Sequence, residues 1–354
     1  MTSNEPKNIY DYSRQRLSQV LVENGFQSFN ANQIFSWLYQ KNINQVEQWS
    51  NVSKKLRTFI EENFIFDLPT VIWNGQSKDG TRKFLLKFKD GKTVETVLIP
   101  AKNRLTICVS SQVGCAIGCT FCHTGTMGLT RHLYPSEVTG QYLVLSNWMR
   151  EIEPESKITN IVYMGQGEPL HNFENMKEAT EIFLDDHGLG LGQRRITLST
   201  SGMVPQIKKL NDFPPVNIAI SLHAAHDDIR SELMPINKVY DLNRLLSAIK
   251  EIPLKAHRWI TFEYLLIDGL NDRQEDIDAL VKLLPPNISK VNLIPFNEYP
   301  ESNFKKPSDA HIHWFHNELN RHGIVTTIRT TKGTDILAAC GQLKSEFEKL
   351  NLWN

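Results

Sequence analysis

Three cysteines within eight residues, Cys115-Ala-Ile-Gly-Cys119-Thr-Phe-Cys122, constrain this chain more than any other feature. Thiolates at that spacing select zinc or an iron–sulfur cluster, so one short loop must fold with all three sulfurs facing one centre. Structural zinc sites commonly draw two ligand pairs from two separate knuckles. Here no second pair lies nearby, and zinc would need His123 or His132 as a fourth ligand. A cubane held by three cysteines would instead leave one iron open to another molecule. Of the five cysteines, Cys108 and the triad are clustered and Cys340 stands alone near the end. A disulfide scaffold spreads its cysteines, so this clustering points to metal or redox chemistry in a reducing compartment.

The chain is long enough for one large domain with an appendage, at 354 residues. Its 40% hydrophobic and 22% charged residues exclude a disordered or low-complexity chain. Lys and Arg total 39, as do Asp and Glu, so a polyanionic partner would have to be held by a local patch. No apolar run is long enough for a membrane helix, and the start lacks the apolar core of a secretion signal, which makes the cytoplasm the expected compartment without a membrane partner.

Up to about residue 65, apolar residues recur at three and four: Leu17, Val20 and Leu21, then Ile34, Trp37 and Leu38, then Val52, Leu56, Phe59 and Ile60. That spacing predicts three short amphipathic helices. From Thr81 the period changes to two, and Asp90-Gly91 marks a hairpin turn before a second strand from Thr93 to Ile99. Beyond Pro100, strand-like and helix-like segments alternate, which predicts a parallel α/β sheet, doubly wound or curved into a full or partial barrel. We divide the chain into a helical accessory unit (1–80), a hairpin linker (81–100), an α/β barrel (101–332) and a tail (333–354). Several polar residues fall at or near predicted strand ends, where such sheets bind ligands: Gly167 and Glu168, Ser199, Ser221-Leu222-His223, and Asn297.

The CxxxCxxC triad resembles the signature of radical S-adenosylmethionine (SAM) enzymes. CVSSQVGCAIGCTFC, MGQGEPL, RRITLSTSG, AISLHA, NLIPFN and DILAACGQL, in this order, resemble the RlmN/Cfr family of RNA adenosine methyltransferases, from about Tyr10 to Leu343. The resemblance is closer to the RlmN side, which methylates C2 of adenosine, than to the Cfr side, which methylates C8. It implies an open, partial β/α barrel of radical-SAM type with a small N-terminal helical domain. The implied cofactors are a [4Fe-4S] cluster on Cys115, Cys119 and Cys122, and two SAM molecules per turnover.

The same resemblance places Gly167 and Glu168 at the SAM amino group, and Ser199, Ser221, Leu222, His223 and Asn297 at its ribose, carboxylate and adenine. It makes Cys340 the carrier of the methyl group, which a SAM-derived radical activates so that the carbon joins C2 and the RNA becomes attached to the protein. Glu95 is then the base that removes the ring proton, and Cys108 the thiol that frees the product by forming a disulfide with Cys340. Taken as an ordinary strand carboxylate, Glu95 would face solvent. One departure is MGQGEP where many members have MGMGEP, and Gln166 lies outside the residues given roles.

The implied partners are 23S rRNA in its peptidyl-transferase region, tRNA beside the anticodon, and an electron donor such as flavodoxin or ferredoxin. Arg131-His132, Arg194-Arg195, Lys208-Lys209 and Lys54-Lys55 with Arg57 are local basic groups that could meet phosphates. The competing readings are a C8 methyltransferase, a radical enzyme acting on a small molecule, and a non-catalytic RNA-binding protein with structural zinc.

Overall fold

A computed structural model describes residues 6–343 apart from 253, 255–257, 286, 300 and 301. The frame is one ten-stranded sheet: β1 (Thr70–Gln76), β2 (Arg82–Lys87), β3 (Thr93–Ala101), β4 (Arg104–Cys108), β5 (Asn160–Tyr163), β6 (Ile196–Thr200), β7 (Asn217–Ser221), β8 (Ile260–Leu266), β9 (Ser289–Pro295) and β10 (Val325–Ile328). The strands neighbour one another in strict chain order. β1 to β4 form an antiparallel meander, and from β4 to β10 every pairing is parallel.

That order separates the two architectures the sequence left open. A doubly wound sheet reverses direction at a switch point. Here the order never reverses, so right-handed crossovers put the helices on one face and curl the sheet as in a barrel. β1 and β10 are not paired to each other, so the barrel is open. The alternating helices and parallel strands expected beyond Pro100 are present, for example the helix Pro135–Ile152 after β4.

Alternation along each strand decides what the concave face carries. Ile161 and Tyr163, Leu198, Ile218 and Ile220, Phe262 and Tyr264, and Val291 and Leu293 pack into the core beneath the helices. Side chains alternate across a sheet, so their neighbours Val162, Ser199, Ser221, Glu263 and Asn292 turn to the other face. In the meander, Val94 and Leu98 enter the same core, which leaves Glu95 and Val97 on the concave side.

The N-terminal helices Arg14–Glu23, Asn30–Phe35 and Lys54–Asn63 form a second core with Leu17, Leu21, Ile34, Leu56 and Ile60 fully buried. Leu143 and Ile182, from two barrel helices, complete it. The Asp11 carboxylate accepts from Ser136 N (2.9 Å), and Arg14 pairs with Asp185 (2.7 Å), so the unit is fastened to the barrel. The stretch set apart as a linker, 81–100, is continuous with the main sheet. Thr70–Gln76, counted with the helical unit, is that sheet's edge strand. The sequence hides this because β1 is only half-buried and its pairing with β2 shifts at a bulge between Val71 and Trp73.

The tail returns across the concave face of the meander. Ala338 and Leu343 pack against Val97 and Cys108, Ser77 Oγ donates to Asp335 (2.6 Å), and Gly333 N donates to Asp79 (2.9 Å). Residues 344–354, the rest of the expected tail, lie outside the described residues. Asp79 also accepts from Thr81 N (2.9 Å), and these hydrogen bonds outweigh its burial and bring its carboxyl down to about 2. Each such bond contributes roughly 1–2 kcal/mol. Replacing Asp79 by Ala should speed tryptic cleavage after Lys332 at least fivefold at unchanged helix content. Cleavage at the wild-type rate would show that the tail is held elsewhere.

Candidate active site

The triad loop begins where β4 ends. Gln112–Gly114 pairs with Leu129–His132, closing the loop as a small hairpin. Gly114 has φ +77, and a Cβ there would collide with Gly128 O, so only glycine permits the pairing. Backbone N–H groups of Ile117 and Gly118 face the Cys115 sulfur, and those of Thr124 and Gly125 face Cys122. Burial pushes the Cys115 thiol up to about 12 and those of Cys119 and Cys122 upward. All three need a nearby cation to become thiolates.

These sulfurs line one cavity of about 940 Å³, its open mouth included. Of the residues expected at the site, Gly167, Glu168, Ser199, Ser221, His223 and Cys340 line it as well. Leu222 does not: its side chain is buried in the core and its backbone is engaged by Glu263 and Arg230. Asn297 and Cys108 line an adjoining smaller cavity together with Cys340. Asn297 Nδ2 donates to Cys340 O (3.2 Å), which gives it a hold on the tail.

Gly167 has φ +98, and a Cβ would press on the Gln112 side chain at 2.5 Å. Gln112 organises this corner. Its Oε1 accepts from Glu168 N (2.7 Å), while its amide N–H groups reach His132 Nδ1 (2.9 Å) and His171 Nδ1 (3.3 Å). Glu168 is buried, which raises its carboxyl pKa, and it accepts from Ser201 N (2.7 Å) and Leu170 N (3.0 Å). Its carboxylate lines the cavity, where it can accept from a ligand's ammonium.

His223 accepts from Leu265 N (3.1 Å) at Nδ1, so Nε2 carries the ring proton. Burial, helped by Arg230, brings its pKa down to about 3, so the ring is neutral and a donor. Arg230, almost wholly buried, donates to Leu222 O (3.0 Å), Ser201 O (2.8 Å), Ser221 O (3.1 Å) and Asn237 (2.7 Å). It thereby ties together the turns that follow β6 and β7.

Cys108 and Cys340 meet in the adjoining cavity, and Glu95 lies on the same sheet face as Cys108. Cys108 stands opposite Val97, so Glu95 and Cys108 are diagonal neighbours on one face, roughly 7–8 Å apart at Cα. Glu95 is buried and pairs with Lys83 at 3.1 Å, which does not fit the alternative of an ordinary solvent-facing strand carboxylate. Its backbone is held where β4 has ended. Ser110 Oγ donates to Glu95 O (2.6 Å), and Glu95 N donates to Gln166 Oε1 (2.9 Å). Gln166, the departure from the family pattern, therefore touches the candidate base. Burial, with Cys340 second, pushes the Cys108 thiol up to about 12.

Sequence reasoning missed Arg329, the residue after β10. It lines both cavities, and its charge is reinforced chiefly by Cys340, then by Glu263 and Cys108. Its place at a strand end was the signal available. Of the basic groups, Arg131 is taken up by Glu137 (2.7 Å) and Asp90 (2.7 Å). Arg194 and Arg195 precede β6, at the end of the sheet away from the cavity.

The donor set fits a cluster: three thiols from one loop reach the same cavity. His132 is bound to Gln112, and the His123 ring stacks on Tyr299 (5.1 Å). A cubane instead takes each thiolate on a different iron and tolerates amide N–H groups at the sulfurs.

Comparison with known proteins agrees. Residues 109–284 match the radical SAM superfamily, and residues 7–65 match the ribosomal RNA large subunit methyltransferase N-terminal domain. The dual-specificity RNA methyltransferase RlmN of a Nitratiruptor species is 44% identical, covering 96% of this chain and 98% of its own. The protein of the same name from Paracoccus denitrificans is 41% identical, covering 97% and 91%. This chain belongs to the RlmN family of radical-SAM RNA methyltransferases. A crystal structure of a radical SAM methyltransferase from Sphaerobacter thermophilus superposes with a TM-score of 0.87 at 40% identity, covering 96% of this chain and all of that one. RlmN-family enzymes use a [4Fe-4S] cluster and SAM, two molecules per turnover.

Replacing Arg230 by Met would leave three buried carbonyls without their donor. The expected loss is on the order of 3–5 kcal/mol of stability, read as a lower denaturant midpoint. A loss under about 1 kcal/mol would remove Arg230 from its place as the tie between the strand-end turns.

Proposed function

We propose that this protein methylates C2 of one adenosine in the peptidyl-transferase region of 23S rRNA, and of the adenosine beside the anticodon of tRNA. The observation that carries this reading is that Cys340 lines both the cavity of the cysteine triad and the adjoining one that holds Cys108, on whose sheet face Glu95 lies. The relatives' name, dual-specificity RNA methyltransferase, fits action on more than one RNA. C2 of adenine is not activated toward ordinary methyl transfer, so a carbon delivered from a tethered thioether accounts for a second cysteine so close to Cys340.

Cys115, Cys119 and Cys122 would hold the cluster. Glu168 would accept from the SAM ammonium, with Gly167 giving it room, and Ser199, Ser221 and His223 would contact the rest of that molecule. Bound there, cluster and SAM supply a methyl group and a carbon-centred radical. Cys340 carries the methyl carbon to the base and Glu95 takes the ring proton. Cys108, as its thiolate, would then attack Cys340 Sγ. The S–S bond forms, and the Cys340 sulfur–carbon bond breaks with its electron pair kept by the product carbon, which takes up a proton. The one unpaired electron left by radical addition to C2 would pass to the bound cluster. Arg329, beside both sulfurs, opposes the rise that burial imposes on the Cys108 thiol.

The helical unit, 1–80 in the sequence-based division, would face the RNA. Lys54 and Lys55 open to solvent in a groove beside Phe26 and Phe59. The adenosine must leave its stack to expose C2. Flavodoxin or ferredoxin would supply electrons, in the cytoplasm. No helix among the described residues is long and apolar enough to cross a membrane.

The test is anaerobic turnover with 23S rRNA and tRNA, followed by nucleoside mass spectrometry. The wild type should yield 2-methyladenosine from both, and Cys108→Ala should instead accumulate a protein–RNA adduct through Cys340. An 8-methyl product would favour the C8 reading. Normal turnover by Cys108→Ala would remove that thiol from the reaction.

A further inference from the structure

Lys83 has no part in the chemistry described so far, yet it occupies the junction of that chemistry. It lies in β2 opposite Val97, and so diagonal to Glu95 on the concave face. Its Nζ is 3.1 Å from Glu95 Oε1 and 3.3 Å from Leu337 O in the tail that carries Cys340. The two side chains are only 11% and 6% exposed, and the Trp73 ring lies 5.8 Å from the ammonium.

A buried carboxylate without a countercharge drifts toward its protonated form, and a protonated Glu95 could not take a proton from the ring. A buried ammonium is retained only when paired and hydrogen-bonded. Lys83 meets that condition through one carboxylate oxygen and one carbonyl. The carbonyl belongs to Leu337, whose φ of +51 is unusual for a residue with a side chain.

We propose that Lys83 is a positioning residue for the methylation: its ammonium keeps Glu95 ionised and aimed at the adenosine, and joins that base to the segment bearing Cys340. The proposal rests on Glu95 being the proton acceptor. In the step concerned, the ring C–H bond breaks, its electron pair stays in the ring, and the proton goes to a Glu95 oxygen.

The full-length, anaerobically prepared enzyme is given SAM, reductant and 23S rRNA, and three quantities are read: methyl on Cys340 by protein mass, covalent protein–RNA adduct on a denaturing gel, and methyladenosine. Lys83→Met and Lys83→Gln should load Cys340 within twofold of wild type, accumulate at least tenfold more adduct, and form methyladenosine at least tenfold more slowly. Lys83→Arg, which keeps the charge, should recover at least half of the rate. Turnover within threefold of wild type in either neutral variant would overturn the proposal. So would methyl loading that falls as far as turnover, because the hold on Leu337 would then be what matters. Glu95→Gln separates the two claims. If it traps adduct while both neutral Lys83 variants turn over normally, only the proposal for Lys83 fails. If Glu95→Gln itself turns over normally, the role of Glu95 fails.

Discussion

The structure depends on a tail laid across the concave face of a curved sheet. Period-two alternation puts Lys83, Glu95, Val97 and Cys108 on that face of the meander, where they would otherwise meet water. The tail covers Val97 and Cys108 and takes up the Lys83 ammonium. Its Ala338 and Leu343 join Val97 and Cys108, and its backbone is gripped by Lys83, Asn297 and the cluster loop, where His123 N donates to Gly341 O (2.7 Å) and Thr124 Oγ1 donates to Leu343 O (2.6 Å). Cys340, remote in sequence, is fixed beside Cys108 by many modest bonds.

Burial has opposite consequences at neighbouring groups. It raises the thiols of the triad, which a cluster's positive irons would reverse. It makes His223 a neutral donor at physiological pH. At Cys108 it works against thiolate formation, and Arg329 works against burial. The site therefore combines groups that wait for a ligand's charge with groups whose countercharge is built into the fold.

Much of this was legible in the sequence because the relevant signals are local. The triad, the strand runs and the residues at or near their ends sit on short segments, and the sheet brings most of them to one cavity. Consecutive strand order also follows from repeated βα units, although the sequence could not choose between a reversing and a non-reversing sheet. The rest depended on pairing across the chain. Glu95 reads as a base only through the family resemblance, and its burial against Lys83 appears only in the fold. Lys83 and Arg329 read as ordinary cations until their burial beside Glu95 and Cys340 is seen. Gln166 reads as a harmless variant until its side chain is found on the Glu95 backbone, and β1 joins the sheet through a bulged register that no local period reveals.

The central claim is that three thiols of one loop hold an iron–sulfur cubane with one iron left for SAM, next to Cys340. The most direct measurement is iron, acid-labile sulfide and zinc content of the anaerobically prepared chain, with the electron paramagnetic resonance spectrum of the reduced protein before and after SAM is added. About four irons and four sulfides per chain are expected, as a cubane requires, with a spectrum that changes on SAM addition. Stoichiometric zinc without sulfide, or a cluster spectrum indifferent to SAM, would contradict it.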